Sequence, residues 1–235
     1  MLPLRFIRAL IVLHRTFGSL PLKARLHMLV RFLTAPLLRV AREVPSGALL
    51  LDLGAGHGLF ARLALDAGAR RVIAVEPDTR KLYGPLGGVD FVAGYDACLR
   101  GTFDAVVIID VLYKIPAEEW DALLARVAAR LKPGGLLIVK EQDPTARVKN
   151  AWNRMQERLV SLIGLTLGKS FSYETPRDFT ARLERAGFTD VKARRVDFLY
   201  PHPHVLYVAR AQREQDHCHP EQGGGMGGEG STSTS

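Results

Sequence analysis

The chain has 235 residues, 47% of them hydrophobic and 24% charged, with only two cysteines and a net charge of +8. Apolar content near half excludes a largely disordered chain, and 22 glycines without a three-residue period exclude collagen; the length suits one α/β domain with one or two appendages. Cys98 and Cys218 stand far apart and form no Cys-x-x-Cys pair, so neither a disulfide scaffold nor a cysteine-based zinc module is supported, and a reducing compartment is expected.

The positive charge invites a nucleic-acid or anionic-membrane partner, but it is unevenly placed. Residues 1–45 hold eight Lys or Arg and a single acid, Glu43, and the rest of the chain is close to neutral. Residues 4–17 and 21–42 read as two helices separated by Gly18-Ser19, with Pro21 at a helix start. Leu22, Leu26, Leu29, Val30 and Leu33 recur at helical spacing with Lys23, Arg25 and His27 between them, and Pro36 is expected to kink or end the helix. The best apolar run, Ala9–Leu13, is far short of the roughly 20 residues that span a bilayer, and no signal-peptide cleavage pattern follows it. The expected protein is cytoplasmic, or peripheral at a membrane. Residues 1–45 are either a lid with its arginines in water or a segment whose first 42 residues face an anionic membrane.

From residue 48 short apolar runs alternate with helical stretches. Strands are expected at 48–53, 71–75, 89–92, 103–110 and 136–140, with helices at 58–67, 79–83 and 117–131 between them. Continuous apolar strands indicate burial on both faces, as in a parallel sheet covered by helices. Lys132-Pro133-Gly134-Gly135 stops the last helix. The connection 142–175 is long and contains a helical pattern at 151–167, so it reads as an inserted cap within a domain spanning 46–213. A helix at 176–186 and strands at 190–196 and 204–211 follow, and the polar, Gly-rich residues 214–235 read as a disordered tail.

The most informative stretch is Leu50-Leu51-Asp52-Leu53-Gly54-Ala55-Gly56-His57-Gly58, a buried strand turning into a helix through alternate glycines. Glycines there let a ligand lie against main-chain atoms. A dinucleotide fingerprint, G-x-G-x-x-G, would place its third glycine where Leu59 stands. Asp52 would repel a pyrophosphate but suits a ligand with an amino group, which points to S-adenosylmethionine. Glu76, at the end of the next strand, stands where an acid takes ribose hydroxyls.

Together Asp52–Gly58, Glu76, the Phe103–Val107 strand and Leu131-Lys132-Pro133-Gly134-Gly135 resemble the class I S-adenosylmethionine-dependent methyltransferase family over about residues 46–140, and 175–211 in outline. The resemblance implies a doubly wound, Rossmann-like α/β sheet of about seven strands whose last runs antiparallel, carrying N-terminal helices and a helical cap. It implies that Asp52, Gly54, Ala55, Gly56 and Gly58 hold the methionyl moiety, with Glu76 and the following Pro77 at the ribose. The family's adenine-binding acid falls on Asp96, in a loop one residue longer than the pattern, or its slot is filled by Tyr95. Asp110 to Tyr113 would lie beside the sulfonium.

Methyl transfer needs alignment, desolvation and, for a protonated acceptor, a base. His202 and His204 in the Tyr200-Pro201-His202-Pro203-His204 turn, Glu141 and Tyr113 are candidates for that work; the alternatives are a rigid proline turn, a helix cap and a simple wall. A metal site joining His202 and His204 to His217, Cys218 or His219 is not expected. Apolar residues of the cap and of the N-terminal helices point to a small, hydrophobic or lipid-like acceptor. The fourth-strand element Asp110-Val111-Leu112-Tyr113 lacks the Asn/Asp-Pro-Pro-aromatic pattern of nucleic-acid amino-methylating enzymes, so a nucleic-acid substrate is the alternative, as is a non-catalytic cofactor-binding protein.

Overall fold

The computed structural model describes residues 2–82, 86–94, 101–145 and 172–212. Three helices lead the chain: α1 (Leu2–Phe17), α2 (Leu22–Thr34) and α3 (Leu37–Ala41). The expected break falls at Pro36. Ala35 is forced into extended backbone by the proline that follows it, and Pro36 then caps α3.

The body runs β1 (Leu49–Leu53), α4 (Leu59–Ala67), β2 (Arg71–Glu76), β3 (Val89–Ala93), β4 (Phe103–Ile109), α5 (Trp120–Ala128), β5 (Leu131–Gln142), α6 (Pro176–Arg185), β6 (Phe188–Arg195) and β7 (His204–Ala211). The seven strands form one sheet in the order β3-β2-β1-β4-β5-β7-β6, parallel except for β7, which pairs antiparallel with β5 and β6. Seven strands with the last antiparallel is the expected arrangement. The segments predicted helical at 79–83 and at the start of 117–131 are tight 3-10 turns, Thr79–Lys81 and Ala117–Glu119. Lys132–Gly135 does not precede β5 but bulges within it: Phe103 pairs with Leu131, and pairing resumes only at Ala105 with Leu136.

Side-chain alternation explains the continuous apolar strands. Leu50, Ala74, Val107, Ile138 and Leu206 point to the face covered by α1–α4. Leu51, Val75, Ile108, Val139 and Val205, their neighbours in sequence, point to the face covered by α5 and α6. Both layers are sealed, each fully buried leucine contributing about 2 kcal/mol. Polar side chains in the sheet therefore collect at the carboxyl ends of β1, β2, β4 and β5, where the helical cover gives way.

Candidate active site

β1 carries Asp52 as its penultimate residue, and the chain then doubles back over β2. The amides of Gly54 and Ala55 both donate to the Val75 carbonyl, at 2.8 and 2.9 Å. Gly54 adopts φ +78°, and a Cβ there would stand 2.3 Å from a Val111 methyl, so no other residue fits. Gly56 is different: at φ +59° its Cβ position meets nothing within 4 Å, and the turn opens there onto free space. Glu76 fastens the turn. Its carboxylate accepts from the Gly56 amide at 2.8 Å and the Asp78 amide at 3.1 Å, and pairs with Lys81 at 3.2 Å. Pro77 is exposed just beyond it.

Asp52 is 2% exposed, and its Oδ2 has no hydrogen-bond partner. Burial pushes its carboxyl up to about 7; Arg31 opposes the shift and Glu76 adds to it. A buried acceptor left unsatisfied is costly, and a cationic donor is what would relieve it. The donor set therefore fits the ammonium of a methionyl group laid against Gly54–Gly58.

α2 roofs this turn. His27 and Met28 and, one helical turn on, Arg31 face Asp52, Gly54, Ala55, His57 and Ile109 and leave a cavity of about 20 Å³ between them. Arg31 donates to the Ile109 carbonyl at 3.1 Å and lies 3.6 Å from the Asp110 carboxylate. The His27 and His57 rings meet edge to face at 5.7 Å.

At the ends of β4 and β5 a buried ion pair closes the α1–α4 face. Lys140, wholly buried, donates to Asp110 at 2.5 Å, and Asp110 itself sits at φ +56°. The Lys140 and Arg31 charges hold Asp110 below the usual carboxylate range, against the effect of burial. His204 lies on this same face under the end of α2, its Nε2 3.1 Å from the Thr34 carbonyl. A carbonyl can only accept, so we assign the proton to Nε2, leaving the Nδ1 lone pair buried and unpartnered. Burial and Lys140 push the imidazole down to about 3, so it is neutral at physiological pH. The His202 ring is 6.1 Å away.

Glu141 follows Lys140 and points to the opposite face. Its Oε1 accepts from the Val111 and Leu112 amides at 3.0 and 2.9 Å, while Oε2 is buried without a partner. Burial and the Asp110 charge raise its pKa well above the carboxylate range. It shares a small cavity with Tyr113, Gln142, Tyr173 and Tyr207. Tyr113 and Tyr173 stack at 5.9 Å with ring planes 3° apart, and burial raises the Tyr113 phenol.

The residues expected at one site thus form three groups on one sheet edge. Asp52, the glycine turn and Glu76 make a cradle; Asp110 and His204 join Lys140 beneath α2; Glu141 and Tyr113 lie across the sheet. Sheet alternation separates Glu141 from His204, and that separation could have been read from their strand positions. Arg31, His27 and Lys140 were not singled out by sequence. The only signal for Lys140 is a lysine ending an apolar strand; the signal for His27 and Arg31 is their spacing of four on a helix. Asp96, the cap helix at 151–167 and the tail with His217, Cys218 and His219 lie outside the described residues.

Comparison with known proteins agrees with this geometry. Residues 25–193 match the family model described as a methyltransferase domain. An uncharacterized methyltransferase of Mycobacterium leprae (strain Br4923) is 37% identical over 105 residues, 40% of this chain and 37% of that protein. A ubiquinone biosynthesis O-methyltransferase of Xanthomonas axonopodis pv. citri (strain 306) is 32% identical over 115 residues, 45% of this chain and 47% of its own. The chain thus spans less than half the length of these two relatives. Among solved structures, the 1,6-didemethyltoxoflavin-N1-methyltransferase of Burkholderia thailandensis, with bound 1,6-didemethyltoxoflavin and S-adenosylhomocysteine, superposes with a TM-score of 0.59 at 21% identity, covering 86% of this chain and 88% of that one.

Proposed function

This chain belongs to the class I S-adenosylmethionine-dependent methyltransferase family, and we propose that it methylates a small hydrophobic or lipid-like acceptor bound beside Glu141 and Tyr113. Bound S-adenosylmethionine supplies a methyl group already activated by its sulfonium. Asp52 would hold the ammonium of the methionyl group, the backbone of Gly54–Gly58 would take the methionyl chain, and Glu76 and Pro77 would take the ribose. Arg31, the cation α2 brings over the turn, would pair with the methionyl carboxylate. Asp110 is held in place by Lys140 near the reacting centre.

The observation that carries the acceptor half is the unpartnered, buried Oε2 of Glu141 among Tyr113, Tyr173, Trp120, Phe179 and Tyr207. Aromatic rings suit an apolar, planar acceptor. Raised to about 8, the Glu141 carboxyl acts as a base in its ionised form, taking the proton of an acidic O–H or N–H, so kcat should rise as pH climbs to about 8. Glu141 is the better base than His204, whose imidazole is pushed too low to hold a proton and is covered by α2. The relative that acts in ubiquinone biosynthesis supports a hydrophobic acceptor; the toxoflavin-precursor enzyme supports a small one.

The test is an assay with methyl-labelled S-adenosylmethionine against a total lipid and metabolite extract, with an RNA fraction in parallel. Label is expected in an organic-phase product, and Glu141→Gln should lower kcat by about 10²–10⁴-fold while leaving cofactor affinity unchanged. Label confined to RNA, or a Glu141→Gln enzyme of full kcat, would overturn the reading.

A further inference from the structure

We propose that the outer face of α1 and α2 is a docking surface for an anionic lipid bilayer. A helix buried on one side normally turns polar residues outward. α1 packs Phe6, Ala9, Leu10, Leu13 and Phe17 against the body, yet presents Leu4, Ile7 and Ile11 to solvent on the far side. α2 buries Ala24, Met28 and Phe32 and exposes a second ridge, Leu22, Leu26, Leu29 and Leu33, spaced four, three and four residues apart. Eleven large hydrophobic residues are exposed among the described residues. Eight are on these two helices, and Phe198 and Leu199 stand on a turn that Arg39 of α3 holds by its Phe198 carbonyl. Between α1 and α2 runs an apolar groove of about 380 Å³, walled by Leu10, Leu13 and Phe17 of α1 and by Leu22, Leu26 and Leu29 of the α2 ridge, with His14 and Arg25 at its edge.

Charge selects the occupant. No acidic residue precedes Glu43, while Arg8, Arg15, Lys23 and Arg25 flank the two ridges. Beside α1 a second cavity, about 350 Å³, is lined by Arg5, Arg8, Arg39, Arg42 and Tyr200. Arg8 is paired there with Asp66 and Arg39 with backbone carbonyls, whereas Arg5 and Arg42 have no partner among the described residues. Leucines that enter the acyl boundary and arginines that meet phosphates are the two halves of an interfacial helix. A second copy of the chain would set like charges against each other across the same face, and a nucleic acid has no use for the leucine ridges.

This goes beyond the methyltransferase reading and is tested without cofactor or acceptor, so the two fail separately. The full chain is sedimented with vesicles of phosphatidylcholine alone and of phosphatidylcholine with about 30 mol % phosphatidylglycerol. At least about tenfold stronger partition into the anionic vesicles is expected, falling at about 0.5 M salt. The variant Leu22→Gln/Leu26→Gln/Leu29→Gln/Leu33→Gln should lose binding at unchanged Tm, and Arg5→Gln/Arg42→Gln should lose the preference for anionic lipid. Equal partition into both vesicles, or none, overturns the proposal. So does a Tm that collapses in the leucine variant, which would mean protein already covers the ridge, or a dimer in sedimentation velocity that this variant dissolves.

Discussion

Asp52 concentrates the trade between stability and binding in one carboxyl group. Its pKa in the folded chain is raised to about 7 from an ordinary 3.8. The unfolded chain therefore releases this proton first, and the contribution of Asp52 to ligand-free stability is lost as pH climbs through that interval. Binding of an ammonium reverses the preference, because it favours the ionised form. Affinity for S-adenosylhomocysteine, measured by titration calorimetry, should improve about tenfold per pH unit up to about 7 and level off above it. Asp52→Asn should erase that slope and weaken binding, yet show a higher ligand-free Tm at pH 8. A wild-type affinity that is flat across this range would remove Asp52 from the cofactor's ammonium.

The helix α2 has work on each side. Its inner stripe, His27, Met28 and Arg31, faces the glycine turn. On the proposed reading the methionyl carboxylate would engage Arg31 and add a tether to the helix. Amide hydrogen exchange across residues 22–34 should therefore slow on adding S-adenosylhomocysteine, and Arg31→Gln should remove most of that slowing. Unchanged exchange in the wild-type chain would mean that α2 takes no part in binding.

For the molecule as a whole, the Asp110–Lys140 pair joins two strand ends through a buried charge. Lys140 is 0% exposed and reaches the end of the neighbouring strand. Removing one partner leaves the other buried and uncompensated. Lys140→Met should lower the unfolding free energy by about 3–5 kcal/mol in urea titrations, and Asp110→Asn/Lys140→Met should recover most of it. If the single variant costs no more than a surface substitution, the pair is not the anchor of the β4–β5 edge. No described helix is long and apolar enough to cross a membrane.

Alternating glycines after an apolar strand, an acid two residues before the first of them and a second acid ending the next strand each carry a local physical meaning. The strand number and the antiparallel last strand followed from the family those motifs resemble, and the cradle of Asp52, Gly54–Gly58 and Glu76 was legible because its parts lie within 25 residues of one another. Contacts between distant segments were not legible. Nothing in the spacing of α2 says that Arg31 meets Asp110, 79 positions later, or that His204 is covered by the carbonyl of Thr34. Local sequence determined backbone conformation and which positions would be apolar, because propensity and periodicity act over a few residues. The tertiary structure alone decided which polar groups were left buried without partners, because burial is a property of the packed layers. Two of those groups, Oδ2 of Asp52 and Oε2 of Glu141, mark where the chemistry is proposed to occur.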